Sequence, residues 1–468
     1  MRTPTRRIAA VAAAALACAA CSKLPAGSST ATTVAPTTTV PGASTPAQTK
    51  AADYRARVTY LLVENLYLLS RATGDVVASP TAAASPPSAG GATSTTPTTS
   101  ATPSTSTTST TTGSGTAPTS TTASTTSTTT AGPAPAAAPA PVQTTDDSGK
   151  ALDANTHDLG DLLAEPEGYS GTFSSDFYAL WAQRSQYFAS YAAAKATNNL
   201  AAAQRALTAL AANATAVGTL FHVSNKYIAV NTVGGTGMAD ELTTDNATVT
   251  AFIDAQAAKG PLAVSDVVSS AEQFRHTATV MAAAAAKLDP DQYPGNATGT
   301  AANLRATQTA VLVDHVQIAG LAVDPLVKGA AGGPQLGALA NNTTALTNVI
   351  IANYGDPPAK QFFSLWSSYV NGLAATARAK AGTGTAPDLS GVGAQIGAFY
   401  ASLGPQLSAS TIGADMQQMV DALIAYIDAS ASTAQPVTQL RVATATVPKL
   451  ASDIAEGIAE NKPTQYLP

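Results

Sequence analysis

The residues in this sequence best suited to metal binding are a histidine and the carboxylate beside it, Asp314-His315. Helical bundles bind transition metals through Glu, Asp and His side chains that project inward from several helices. Such an ion needs three or four converging ligands. The other histidines, His157, His222 and His276, fall on different predicted helices without a paired ligand spacing. We therefore predict that His315 is a hydrogen-bonded polar residue of the core, and we keep Asp314 and His315 as the candidates for a metal-binding or redox bundle.

Nucleophilic catalysis lacks its usual signals in this sequence. There is no Gly-x-Ser-x-Gly elbow and no His-Glu-x-x-His motif. The only cysteines, Cys18 and Cys21, lie at the N-terminus. The glycine-rich run at residues 234–237 has no Lys after it and no predicted strand before it, so we predict a loop between the fourth and fifth helices rather than a phosphate site. We therefore expect a non-enzymatic protein without a cofactor.

The first 20 residues have the order of a secretory signal peptide. Three arginines precede an apolar run at residues 8–20, which is too short to span a bilayer permanently. The ending Ala-Ala-Cys-Ser resembles the lipobox of bacterial lipoproteins, which implies that Cys21 receives a diacylglyceryl group and becomes the mature N-terminus. That family favours Leu three residues earlier, where Cys18 stands. Cleavage before Cys18 and a plain secretory signal therefore stay open as alternatives.

The charge balance argues against one class of partner. The formal net charge is −5, only 11% of residues are charged, and no cluster of Lys and Arg occurs beyond the N-terminal signal. Nucleic-acid-binding surfaces need such clusters, so we expect no nucleic-acid partner. Cysteine is absent after residue 21, which also removes disulfides. The fold must therefore depend on the burial of an apolar core.

Two tracts are rich in Ser, Thr, Pro and Ala. Residues 21–50 follow the signal, and we predict that they form a disordered tether. Residues 76–145 contain no charged residue and too little apolar surface to offset chain entropy, which predicts a disordered insertion. A helical bundle tolerates such an insertion, because the entropy cost of closing a loop grows only logarithmically with its length.

The chain contains an internal repeat. Residues 155–195 and 342–380 correspond, with a two-residue slip near Pro166. The identical pairs are Asn155/Asn342, Leu159/Leu346, Tyr169/Tyr354, Phe177/Phe362, Leu180/Leu365, Trp181/Trp366 and Lys195/Lys380. A fixed spacing between similar segments indicates a duplicated structural unit.

The repeat extends upstream of the insertion. Residues 53–75 match residues 303–325, with Arg55/Arg305, Leu62/Leu312, Val63/Val313 and Glu64/Asp314 in register. The second copy continues after a short glycine-rich loop, whereas the first copy continues only after the tract at residues 76–145. The insertion therefore interrupts the first copy after its first helix.

These patterns predict an all-α fold of two tandem helical-bundle modules, residues 51–295 (with the insertion 76–145) and residues 302–468. Each module is predicted to have about six helices, because apolar residues recur at i, i+3, i+4 and i+7. Each is long enough to hold its own core. In the second module the predicted helices are residues 302–322, 335–352, 357–380, 390–403, 414–429 and 437–460.

Residues 350–384 and 457–468 are similar to a family of small uncharacterised helical proteins from Gram-positive bacteria. The resemblance implies one module repeated twice and inward histidines beside acids, but no activity. Asp314-His315 keeps the acid–histidine pair of the first helix. The first copy has Glu64-Asn65 instead, and Arg184 and Tyr369 stand at the matching positions of the third helices. Most of the family's histidine set is therefore missing.

From these observations we expect an extracytoplasmic lipoprotein, anchored to the bacterial cell membrane through lipid on Cys21. Its expected role is non-enzymatic binding of an unknown envelope protein or small ligand. The first alternative is a metal-binding or redox bundle that uses Asp314 and His315. The second alternative is a structural spacer in the envelope.

Overall fold

Helix is the only regular structure in the part of the chain that the computed structural model describes, residues 47–79, 146–231, 237–259, 263–432 and 436–466. This confirms the predicted all-α class. The first half of the chain forms α1 (Lys50–Ala78), α2 (Asp147–Leu163), α3 (Phe173–Ala196), α4 (Leu200–Ser224), α5 (Met238–Ala257) and α6 (Ala263–Leu288). The second half forms α7 (Thr300–Val327), α8 (Pro334–Tyr354), α9 (Asp356–Lys380), α10 (Val392–Leu403), α11 (Ala409–Ala431), α12 (Pro436–Thr444), α13 (Val447–Asn461) and α14 (Pro463–Tyr466).

The ends of α1 correct two predicted boundaries. Ala47 is buried and its carbonyl accepts a hydrogen bond from Arg305, so the packed structure begins inside the stretch predicted as tether. The Thr49 side chain then accepts from the backbone N–H of Ala52 and caps the helix. At the other end α1 continues to Ala78, past residue 76, where the insertion was predicted to begin. Residues 80–145 and the proposed lipidation site Cys21 lie outside the described residues.

One predicted helix is divided in the structure. Residues 437–460 were expected to form a single helix, but α12 ends at Thr444 and α13 begins at Val447. Pro448 stands in the first turn of α13. Proline has no N–H to donate to the carbonyl four residues earlier and its ring crowds that carbonyl, so a helix passing through it is broken or kinked.

The core is organised around α1 and α7, which pack against each other. α1 also packs on α2, α3, α5 and α6, while α7 packs on α8, α9, α11, α12 and α13. Most residues of both helices are buried, and the apolar side chains of the two halves belong to one continuous cluster. The described residues, from Ala47 to Tyr466, accordingly belong to one compact unit. The two halves share a core, and the module boundaries at residues 295 and 302 stay a prediction.

The contacts between α1 and α7 are reciprocal. Arg55 donates to the carbonyl of Ala297 and to the Asn303 side chain. Arg305 donates to the carbonyl of Ala47 and to Asp53. Each residue of one set matches a residue of the other in the register of the repeat. Reciprocal contacts of this kind are those of an isologous interface, in which two like surfaces meet around a twofold axis.

A second reciprocal exchange links the outer helices to the centre. Arg441 of α12 lies 3.4 Å from Glu64 of α1, and Arg275 of α6 pairs with Asp314 of α7. Each arginine follows a Gln-apolar dipeptide, Gln-Phe-Arg in the first half and Gln-Leu-Arg in the second. Each half thus supplies a cation to the buried acid of the other half.

Within each half, the repeat also reproduces a surface contact. Lys195 at the end of α3 pairs with Asp254 of α5 at 2.9 Å. Lys380 at the end of α9 pairs with Asp428 of α11 at 2.7 Å. The sequence register of the repeat is therefore also a register of contacts in space.

Two of the described helices, α4 and α7, are long and apolar enough to span a membrane by length and composition alone. For α7 the reason is burial, since 83% of its most apolar stretch lies inside the protein. α4 packs mainly on α3 and α5, and only 39% of its stretch is buried. Its outward residues are mostly Ala and Thr, so the helix is apolar without a large hydrophobic surface.

Candidate functional site

His315 lies in the core of the second half with both ring nitrogens engaged. Its Nδ1 is 3.1 Å from Oδ1 of Asn342 and its Nε2 is 3.2 Å from the hydroxyl of Tyr369. The Asn342 amide NH₂ donates to the carbonyl of Val311, and Nε1 of Trp366 lies 3.4 Å from Nδ1 of His315. The side chain is fully buried, and burial lowers the pKa of His315 to about 4. The imidazole is therefore neutral at neutral pH.

Asp314 points to a different neighbourhood from His315. Its carboxylate pairs with Arg275 and accepts a 3.1 Å hydrogen bond from the hydroxyl of Tyr67. Successive residues of a helix are about 100° apart, which is why two sequence neighbours face different helices. Among the described residues no group of three or more His, Cys, Asp and Glu side chains could hold a metal ion. The structure thus separates the two candidates for metal binding.

The first half builds a comparable polar cluster at Asn65, the residue that matches His315. Asn65 donates to Oδ1 of Asn155 at 2.7 Å and accepts from Nε1 of Trp181 at 3.2 Å. Asn155 in turn donates to Glu64 at 2.8 Å. The repeated Asn and Trp positions therefore converge on the same point of each half, and their identity in the sequence reflects a shared core contact.

The first half contains a buried ion pair whose matching residues in the second half are neutral. Arg184 donates to Oδ1 of Asn246 at 2.9 Å and lies 3.9 Å from Asp245. Both members are almost completely buried, and one guanidinium nitrogen of Arg184 has no hydrogen-bond partner. Burial lowers the pKa of Arg184 to about 10, and burial raises the pKa of Asp245 to about 6. The matching residues of the second half are Tyr369 and Met419, which are neutral.

Each of the other three histidines contacts a different partner. His157 of α2 stacks on Tyr178 with ring centroids 3.8 Å apart. His222 of α4 contacts the carbonyl of Ile228 at 2.7 Å, and His276 of α6 contacts Glu241 at 2.9 Å. Each has a local partner of its own.

A cleft that the sequence did not predict opens where α1 and α2 of the first half meet α13 of the second. Its volume is about 600 Å³. Tyr60, Leu61, Leu162 and Pro448 supply its apolar part. Its charged lining residues are Asp53, Arg57, Asp158, Asp161, Glu165, Arg305, Lys449 and Asp453. Only 11% of the chain's residues are charged, so eight in one cleft is a high concentration, but no local signal in the sequence predicts it.

Ion pairs hold most of the cleft's charges in place. Arg57 binds Glu165 at 2.6 Å, and Lys449 binds Asp453 at 2.9 Å. Asp158 accepts from Arg441 at 2.6 Å, outside the cleft itself. Asp161 differs, since it accepts a 2.7 Å hydrogen bond from the neutral hydroxyl of Ser174. Five carboxylates against three cations leave the cleft with an excess of negative charge.

A second cavity of about 600 Å³ lies near the opposite end of α1. Asp324 in its wall accepts from Arg71 at 2.7 Å and from Tyr426 at 2.5 Å. Asp75 accepts from Ser148 at 2.9 Å, and burial raises the pKa of Asp75. These bonds join α1, α2, α7 and α11, so the polar groups of this cavity are used in holding helix ends together.

The chain matches no family model, no curated protein and no solved structure in the comparisons made with them.

Proposed function

We propose that this chain is a non-enzymatic binding protein of the bacterial envelope, anchored to the membrane by lipid on Cys21, with its ligand held in the cleft between the two halves. The lipobox-like sequence before Cys21 supports the anchor. The observation that carries the binding role is the charged cleft, because its volume of about 600 Å³ falls in the usual range for small-molecule sites, roughly 300–1,000 Å³.

The chemistry of the cleft favours binding over catalysis. Neither His nor Cys lines it. Glu165 and Asp453 are each held in an ion pair with a cation of the protein, so both carboxylates serve to hold the cleft together. A structural spacer, for its part, would have no use for a cleft with eight charged residues.

The anchor is tested by the Cys21→Ala variant. Intact-mass measurement of the membrane-extracted wild type should show two or more acyl chains on a chain that begins at Cys21. The variant should be released from membranes, because stable attachment needs more than one lipid chain or an equivalent second contact. An unacylated wild type, or unchanged membrane retention of the variant, would contradict the anchor.

The binding role is tested by filling the cleft. Ser452 lines it, and the Ser452→Trp variant should occupy its space. Ser364→Trp on the exposed face of α9 is the matched control. After incubation with a small-molecule extract of the envelope, native mass spectrometry should find a ligand on the wild type and on the control, and none on Ser452→Trp. A wild type that retains no small molecule would overturn the binding role.

A further inference from the structure

The cleft's charges on α1 and α2, and on Glu165 after α2, have no charged counterparts in the other half. In the register of the repeat, α1 corresponds to α7, α2 to α8, and α13 to the end of α6. The residues that match Asp53, Arg57, Asp158, Asp161 and Glu165 are Asn303, Thr307, Ala345, Asn348 and Ala352, all uncharged. Arg305 keeps its charge in the matching Arg55, and both arginines serve the contact between α1 and α7.

This difference shows whether the charged residues of the cleft serve the fold or another role. The matching helices of both halves pack in the same order, although one set of positions is charged and the other is Ala, Asn and Thr. Helix packing at these positions therefore needs no charge. Exposed ion pairs contribute only about 0–1 kcal/mol each, so stability does not explain these five charged residues either. Binding of a charged ligand does explain them.

The arrangement of the carboxylates indicates the size and shape of that ligand. Asp158 and Asp161 lie three residues apart on one face of α2, and Glu165 follows just beyond the end of the helix at Leu163, so the three acids follow one another along the cleft. Asp453 faces the same cleft from α13. These acids do not converge as metal ligands do, since the described residues contain no such group. A ligand that meets them must be longer than a single ion.

We propose that the cleft binds an elongated organic cation with two or more amino groups joined by apolar carbons, as in a polyamine. This proposal rests on the binding role proposed above and names its ligand class. The amino groups bind carboxylates of α2 and α13, with Asp161 available because its hydrogen bond comes from the neutral Ser174 and no cation among the described residues pairs with it. The carbon chain lies against Tyr60, Leu61 and Pro448. The paired cations Arg57 and Lys449 hold their carboxylates in position.

The test is calorimetric titration of the full chain with spermidine, with citrate as the probe of opposite charge. Spermidine should bind with one site per chain, and its affinity should fall with added salt, as expected for charge pairing. The Asp161→Asn, Asp453→Asn double variant should bind spermidine at least ten-fold more weakly. Asp421→Asn is the matched control, because Asp421 also accepts one hydrogen bond from a side chain on an exposed helix face.

Two outcomes would overturn the ligand class. One is equal affinity of the double variant and the wild type for spermidine. The other is citrate binding at least as tightly as spermidine. If the double variant fails to fold, Asp161→Asn alone decides, because that change keeps a side chain able to accept from Ser174. A neutral or acidic envelope ligand that Ser452→Trp excludes would refute the class while the binding role stands, and a wild type that binds nothing would refute both.

Discussion

The cores of the two halves have matching helices but different buried polar residues at matching positions. At matching positions the first half has Arg184 and Asp245, both buried and ionisable, whereas the second half has Tyr369 and Met419. The second half in turn buries His315, which is neutral, where the first half has Asn65. The common features are the Asn and Trp residues that bond to Asn65 in the first half and to His315 in the second. A helical arrangement can therefore be kept while a buried ion pair is exchanged for a neutral pair, provided that the surrounding hydrogen bonds remain.

The largest effect is expected from removing one member of the ion pair between Arg184 and Asp245. Asp245→Ala leaves Arg184 buried without its counter-charge, and such a loss costs about 3–5 kcal/mol of unfolding free energy. The double variant Arg184→Tyr, Asp245→Met installs the residues of the second half and should recover most of that loss. Denaturant unfolding measures both. A double variant no more stable than Asp245→Ala would show that the halves differ in more than this pair.

The two cores should also respond to acid in opposite directions. Folding lowers the pKa of His315 to about 4, so its stabilising contribution is complete above about pH 6.5 and is lost as pH falls towards 4, by about 3 kcal/mol. Folding raises the pKa of Asp245 to about 6. The ionised Asp245 carboxylate therefore destabilises the folded state above pH 6, and this destabilisation is relieved as pH falls towards 4.

These opposing effects predict different pH profiles for two variants. Relative to the wild type, His315→Asn should gain stability as pH falls from 6.5 to 4, because the destabilising protonation is removed. Asp245→Asn should lose relative stability over the same interval. Urea midpoints measured at several pH values check both slopes. Identical slopes for wild type and His315→Asn would contradict the buried, neutral state of that histidine.

The contacts between the halves are tested by a pair of smaller changes. Arg441→Met removes the cation near Glu64, and Arg275→Met does the same to Asp314. Each acid is buried, so each variant should lose about 2 kcal/mol. Because the core is continuous, each should lower the temperature of one common transition. Arg205→Met on the exposed surface of α4 is the control, with a change below about 0.5 kcal/mol. Two transitions that move independently would contradict a shared core.

The smallest effect is expected where the halves agree. Lys195→Ala and Lys380→Ala each remove a partly exposed ion pair at the end of a matching helix. Each should lower stability by less than about 1 kcal/mol, and the two losses should be similar. Thermal unfolding at low and high salt checks this, since salt should reduce both effects. A loss of several kcal/mol from one variant alone would show that the two pairs are not equivalent.

Sequence reasoning found the helices and the repeat because both depend on local patterns. Apolar periodicity located α7 to α11, and the identical Lys195 and Lys380 indicated matching helix ends. His315 could be placed inside the bundle from its spacing alone. The single helix predicted across Pro448 was wrong, because its apolar pattern continues through the break and only the proline interrupts the hydrogen bonds.

The sequence could not predict the cleft or the shared core, because both depend on which helices meet in space. Asp158 and Lys449 are almost 300 residues apart in the sequence, and nothing local indicates that they line one cavity. The repeat suggested two modules with separate cores. It could not show that the arginine of each half pairs with the acid of the other, since that contact depends on docking of the halves.

The position of α1 has a consequence for the order in which this chain can fold. α1 is synthesised first, but Glu64 meets Arg441 only 377 residues later. At about 5–20 residues per second that interval lasts about 20–75 s. During it the apolar face of α1 lacks its final neighbours, and contacts between such distant residues make folding slow. A chain that cannot complete its core until its last helices are made reaches its final fold only after synthesis has ended.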